Sequence, residues 1–273
     1  MARGARVNPV DVTQGDSPLI LGLPHTGTFL PPSIVARLNA RGRMLTDTDW
    51  HIDRLYDGLV PAATTVRATF HRYVIDANRP PDGESLYPGQ NTTDLVPLTD
   101  FDGLTIWDEA PGAAEIEARR QAFHAPYHAA LAAEIARVRA RHGVAILYDC
   151  HSIRSRIPFL FDGVLPDFNI GTSNGVSCRR EVSGLVSEVC EKAAGYTSIL
   201  NGRFKGGWTT RHYGRPSAGV HAIQMELAQS THLAAEAPPF AYDPAKAAAL
   251  REPLRAILVG LIAIAPQLRV ATR

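Results

Sequence analysis

Two histidines stand where short apolar runs give out. His25 lies in Pro24-His-Thr-Gly-Thr28 after Ser17–Leu23 (SPLILGL), and His151 follows Val144–Tyr148 (VAILY) in Asp149-Cys-His151. In an open α/β sheet, ligands bind beyond the carboxyl ends of the strands, so both positions suit a site. One histidine of the ten in the chain is more often a packed or surface side chain, but two at matched strand ends, each near acidic residues, favour a shared role. A third segment, Asp47-Thr-Asp49-Trp-His51-Ile-Asp53, offers carboxylates. Locally it reads as the acidic start of a helix, where the dipole favours negative charge. Taken with the two histidines, it completes a His/Asp/His group, and two imidazoles with a carboxylate and one open position are the usual donor set of a hydrolytic zinc centre. The chain has no HExxH or CxxC, so such a set has to be assembled from distant segments.

Glu226 is the candidate base. In Val220–Leu227 (VHAIQMEL), a strand period of two puts Gln224 and Glu226 on one face, opposite His221, Ile223, Met225 and Leu227. A glutamate beside an activated water can take its proton and return it to a leaving nitrogen, although a solvent-facing edge-strand glutamate fits the same pattern. Arginines bind carboxylates through two parallel hydrogen bonds. Arg72, read here as part of a strand, Asn78-Arg79 at its end, Arg154 just past His151, and Arg203 and Arg211 around Gly206-Gly207-Trp208 are therefore candidates for an anionic, dicarboxylate substrate. Asn201–Trp208 (NGRFKGGW) lacks the order of a phosphate loop. No GxSxG elbow supports a serine nucleophile.

These residues need strands and helices to carry them. Ser17–Leu23, Val66–Asp76, Val144–Tyr148 and Val220–Leu227 read as strands from their apolar, β-branched and aromatic content. Ala113–His142 has helical spacing ending at Gly143, with Pro126 expected to kink or divide it. Glu181–Ala194 reads as a helix stopped by Gly195. Asp243-Pro244 reads as the cap of a last helix reaching about Ile264. Pro80–Asp102 is the longest expected loop. Helix followed by buried strand favours an α/β fold with a largely parallel sheet and helices on both faces, in one domain over residues 1–273.

Composition narrows the function classes. The length of 273 residues is enough to bury a core without disulfides or a structural metal. Lys+Arg 28 against Asp+Glu 27 leaves +1, which gives no basic field for nucleic acid or a membrane surface. Three cysteines cannot close a disulfide framework, so reduced, cytoplasmic thiols are expected. Met1–Val10 has no apolar stretch of the kind a signal peptide carries, and the most apolar run, Ala256–Ala265, is half the ~20 residues of a membrane span. Nothing in the sequence fixes an oligomeric state.

Taken together, PHTGT (24–28), DTDWHIDRLYD (47–57), RYVIDANR (72–79), LYDCHSIRS (147–155), LFDGVLPDFNIGT (160–172), NGRFKGGW (201–208), TRHYG (210–214) and GVHAIQMELAQ (219–229) resemble the N-formylglutamate amidohydrolase family, from about Ser17 to Gln229. The resemblance implies a three-layer α/β/α sandwich around a mixed sheet, similar to zinc carboxypeptidases and aspartoacylases. It implies hydrolysis of N-formyl-L-glutamate to formate and L-glutamate in histidine degradation, with one divalent metal, Zn2+. Carried onto this sequence, it makes His25 and His151 metal ligands and Glu226 the base, with Arg72 polarising the scissile carbonyl and Asn78, Arg79 and Arg154 holding the substrate carboxylates. The carboxypeptidase pattern has a Glu where this chain has Thr28, so the carboxylate ligand is expected to be Asp53, with Asp49 as its rival. The alternatives are another N-acyl amino acid or a short acidic peptide as substrate, or a non-catalytic binder of acidic ligands. The joint presence of His25, Asp53, His151 and Glu226 speaks against a pure binder, which needs no base beside a metal.

Overall fold

In the computed structural model, which describes residues 7–86 and 88–270, seven strands form one sheet. The first residues of Met1–Val10 and Tyr87 of the Pro80–Asp102 loop lie outside the described residues. The strands are β1 (Val10–Thr13), β2 (Leu19–Leu23), β3 (Thr64–Ala68), β4 (Ala145–Ile153), β5 (Phe168–Gly171), β6 (Ser198–Leu200) and β7 (Val220–Ala228), in the spatial order β1-β3-β2-β4-β7-β5-β6. β2 runs parallel to β3 and β4, β4 to β7, and β5 to β6. β1 with β3 and β5 with β7 are antiparallel, so the sheet is mixed and largely parallel. β2, β4 and β7 are buried at every position, because helices cover both faces of a parallel sheet.

The helices are α1 (Pro32–Val35), α2 (Ile52–Tyr56), α3 (Ala113–Arg119), α4 (Ala125–His142), α5 (Arg180–Lys192), α6 (Trp208–Tyr213) and α7 (Pro244–Ile264). On one face Tyr148, Cys150, Ile223, Met225 and Leu227 pack against Val182 and Val186 of α5 and Leu254, Ile257 and Leu261 of α7. On the other, Ala145, Leu147 and Ala222 meet Tyr127, Leu131, Ile135 and Val138 of α4. Asp243 caps α7 as expected, its carboxylate accepting from Ala245 N at 2.9 Å and Lys246 N at 3.1 Å. Among the described residues no helix is long and apolar enough to cross a membrane.

Three elements differ from expectation. The long helix is divided, but by a π-turn at Arg120–His124 just ahead of Pro126, and the chain runs straight on into α4. The expected strand Val66–Asp76 stops at Ala68, so Arg72 sits in a buried turn and not in a strand. There His71 N donates to Phe29 O at 2.9 Å, Val74 N donates to His71 O, and the Arg119 guanidinium donates to the carbonyls of Tyr73 and Val74. Apolar and β-branched content signalled burial in this stretch, and the backbone is satisfied by turns and an arginine in place of a ladder. Third, β4 continues through Ile153, which places Asp149 and His151 within the sheet.

Candidate active site

The register of β4 and β7 sets Asp149 opposite Gln224 and His151 opposite Glu226. Period two then brings all four side chains to one face at the carboxyl end of two interior strands, and all four are buried. Glu226 is thus in the sheet interior and not on an edge. Gln224 Nε2 donates to Glu226 Oε2 at 3.2 Å, while its own Oε1 accepts from Gly207 N at 2.7 Å.

His25 enters from the turn after β2. Its Nε2 lies 2.7 Å from Asp76 Oδ1, and that carboxylate also accepts from Asn78 N at 2.8 Å. His151 repeats the arrangement, with Nε2 3.2 Å from Asp149 Oδ2. Asn78 Nδ2 lies 3.1 Å from the same nitrogen. Each imidazole turns its Nδ1 toward Asp49, whose Oδ2 is 3.0 Å from His151 and 3.7 Å from His25. One ligand atom from each of His25, Asp49 and His151 can be chosen so that all lie within 4.8 Å of one another. Two imidazoles whose outer nitrogens are held by carboxylates, sharing a third carboxylate, match the way metal-binding histidines are oriented. The donor set therefore fits a divalent ion.

Asp49 owes its place to distant segments. Its N–H donates to His25 O at 3.1 Å, and the carbonyls on either side are held by buried side chains, Thr48 O by Gln229 Nε2 at 2.9 Å and Trp50 O by His232 Nε2 at 3.0 Å. His51 then takes the left-handed conformation at φ 60°, which turns the chain before α2 begins. Asp53 consequently falls in the first turn of α2, partly exposed and paired with Arg67 at 3.5 Å. The structure brings Asp49, and not the expected Asp53, to the two histidines.

Beside this group lies a pocket lined by His25, Arg72, Asn78, Arg79, His151, Arg203, Gln224 and Glu226, with Asn91, Thr92 and Thr93 from the long loop and the rings of Phe101 and Phe204. Arg72 donates through Nη2 to His25 Nδ1, stands 3.6 Å from Asp49 Oδ1, and lies 5.0 Å from the Phe101 ring centre. Arg79 donates to Thr93 O at 2.9 Å, and Arg203 to Asn91 O and Leu160 O, each at 2.9 Å. Of the five arginines expected at the site, these three reach the pocket. Arg154 donates to Asp102 at 2.8 Å, and Arg211 to Gly206 O at 2.9 Å and Leu86 O at 3.2 Å; neither is in the lining.

Burial opposes charge on Asp49, but the hydrogen bond with His151, the nearby His25 and the Arg72 charge outweigh it and hold the carboxyl below its usual range. Asp76 is likewise held well below that range, its burial outweighed by His25, Arg79 and Arg72. For His151, burial disfavours the cation, yet Asp149 and Asp49 raise its pKa well above the usual value. Its two ring nitrogens each face a carboxylate, and Nδ1, the one facing Asp49, is the atom a cation could take. Burial pushes Glu226 up to about 8; His151 and Arg72 favour its ionised form, and Asp49 and Asp149 oppose it. Sequence reasoning gave no role to Asp76, Asp149 or Gln224. For the last two, period-two alternation from His151 and Glu226 was the available signal, whereas nothing local marked Asn91, Thr92 or Thr93.

A family model for N-formylglutamate amidohydrolases matches residues 17–233. The N-formylglutamate deformylase of Pseudomonas aeruginosa is 48% identical over 253 residues, 92% of this chain and 94% of that one. The corresponding protein of Pseudomonas putida is 46% identical with the same coverage. A crystal structure of N-formylglutamate amidohydrolase from Ralstonia eutropha JMP134 superposes with a TM-score of 0.79 at 26% identity, covering 96% of this chain and 99% of the other. A gene product of Agrobacterium tumefaciens, at 20% identity and a TM-score of 0.73, shares the fold.

Proposed function

The chain belongs to the N-formylglutamate amidohydrolase family and hydrolyses the amide bond of N-formylglutamate; we propose that His25, Asp49 and His151 hold a divalent ion, Zn2+, for that reaction. Such an ion supplies Lewis acidity toward a carbonyl oxygen and makes water acidic enough to react at neutral pH. Glu226 takes the proton of the attacking water as its oxygen bonds to the formyl carbon. The same carboxyl delivers that proton to the amide nitrogen as the C–N bond breaks, releasing formate and L-glutamate. A carboxyl with its pKa near the working pH suits both transfers.

Arg72 faces the developing oxyanion, and its buried Nε has no other hydrogen-bond partner; a donor in that role is typically worth ~2.7–4 kcal/mol. Asn78, Arg79 and Arg203, which line the pocket, hold the substrate carboxylates, while Arg154 and Arg211, outside its lining, do not. All seven strands sharing one sheet supports treating the chain as one amidohydrolase domain. The three free, buried cysteines are in keeping with a cytoplasmic setting.

The observation that carries this reading is the convergence of two carboxylate-backed imidazoles on Asp49 beside Glu226. Formate release from N-formyl-L-glutamate, measured as isolated, after chelation and after Zn2+ is restored, tests it. Activity lost and regained with the metal is expected. Activity that survives complete metal removal overturns the metal assignment, and no formate under any condition overturns the substrate.

A further inference from the structure

Behind the pocket, the π-turn, α4 and α6 bring together the rings of His124, His128, Trp208 and Tyr213, none of which the reaction uses. The π-turn at Arg120–His124 shifts the helical phase between α3 and α4, and His124 and His128, four residues apart, come to share one face. That face meets the segment carrying Asn78 and Arg79. His128 Nε2 lies 2.8 Å from Ala77 O and His124 Nε2 lies 3.0 Å from Arg79 O. Between them Trp208 N, at the start of α6, donates to Asn78 O at 3.4 Å. Three consecutive carbonyls are thereby held, and the two peptide units on either side of Asn78 lose their freedom to rotate.

The Asn78 side chain is gripped as well. Its Oδ1 accepts from Thr209 N at 2.9 Å, and a Cβ on Gly207 would come within 2.3 Å of its Nδ2, so only glycine allows this approach. A carbonyl only accepts, so each histidine presents Nε2–H. Burial lowers the pKa of both rings, that of His128 to about 3, and keeps them neutral donors. The second nitrogen of His128 is 3.0 Å from Tyr213 Oη, and its ring meets Trp208 edge to face at 4.5 Å, which fixes its orientation.

We propose that His124 and His128 are positioning residues that set the aim of Asn78 and Arg79 at the substrate's side-chain carboxylate, through the backbone and without touching substrate. This rests on the reading of Asn78 and Arg79 as substrate contacts. The discriminating readout is the ratio of kcat/KM for N-formyl-L-glutamate to that for N-formyl-L-alanine, which lacks the side-chain carboxylate, measured on the metal-loaded enzyme. His128→Leu and His124→Leu are expected to raise KM for N-formyl-L-glutamate about 2- to 10-fold for each hydrogen bond lost, to move kcat less, and to lower the ratio. His128→Gln, whose amide reaches about as far as imidazole Nε2, is expected to restore it. A role in stability alone would lower both activities together and leave KM and the ratio unchanged, which overturns the proposal. Arg79→Ala separates the two readings. If it lowers the ratio and neither Leu variant does, the clamp is wrong; if it leaves the ratio unchanged, the substrate-contact reading has failed. Should His128→Leu not fold, His124→Leu, which releases the Arg79 carbonyl alone, decides.

Discussion

β4 and β7 present two faces that are equally buried and chemically opposite. Toward α5 and α7 they show Tyr148, Cys150, Ile223, Met225 and Leu227; toward the pocket, at the carboxyl end, they show Asp149, His151, Gln224 and Glu226. Lower on the pocket face the same strands show Ala145, Leu147, Val220 and Ala222, which join the second core. The alternation along these strands thus separates core from site and not inside from outside. Burying a polar group is costly unless it is partnered, and here each residue meets another of the set or a backbone N–H, with Asp149 Oδ1 the atom of the set left without a partner. The lesson is that burial by itself does not distinguish scaffold from site, whereas the partners of a buried side chain do.

The sharpest way to break this contrast is at Glu226. Glu226→Gln keeps the shape and the neighbour Gln224 but removes the proton acceptor, so kcat is expected to fall by ~10²–10⁴-fold with metal content and melting temperature close to the parent. Unchanged turnover would remove Glu226 from the chemistry. The mirror test lies one residue group away on the other face. Ile223→Ala leaves a cavity among fully buried neighbours and is expected to cost about 2–5 kcal/mol of stability in denaturant titration, with kcat and KM preserved. A loss of turnover without loss of stability at Ile223 would erase the distinction between the faces.

A smaller effect is expected where the two roles meet. Asp149 touches no substrate in this reading but orients His151 through Nε2. Asp149→Asn should weaken metal affinity about 10- to 100-fold, read by competition with a chelator, while activity recovers at saturating metal. Full affinity in this variant would show that the His151 ring is held by other contacts.

How far the sequence carried these assignments depends on the range of the interactions that set them. His25, His151 and Glu226 were legible because strand ends and period-two alternation are local patterns, and Asp243 was legible because a capping residue acts within its own first turn. Arg154 and Arg211 were not, since residue type announces a cation but its direction is decided by Asp102 in one case and by the carbonyls of Gly206 and Leu86 in the other. The long apolar run through Arg72 misled for a related reason. Its backbone is satisfied by Phe29 and Arg119, both far away in sequence.

The least effect is expected at Asp53, and it is the one that tests this point most directly. Asp49 and Asp53 share a motif, a charge and a neighbourhood in sequence, and no local pattern separates them. What separates them is the left-handed residue His51 together with the side chains of Gln229 and His232, which hold the carbonyls flanking Asp49 from the far end of the chain. Asp53 is left on a partly exposed helix turn with Arg67, and exposed pairs of this kind contribute ~0–1 kcal/mol. Asp53→Ala is therefore expected to change stability by no more than about 0.5 kcal/mol and to keep one metal per chain and full formate release. Loss of the bound metal in this variant would return the ligand role to Asp53, and would mean that the turn at His51 reorganises when the ion binds.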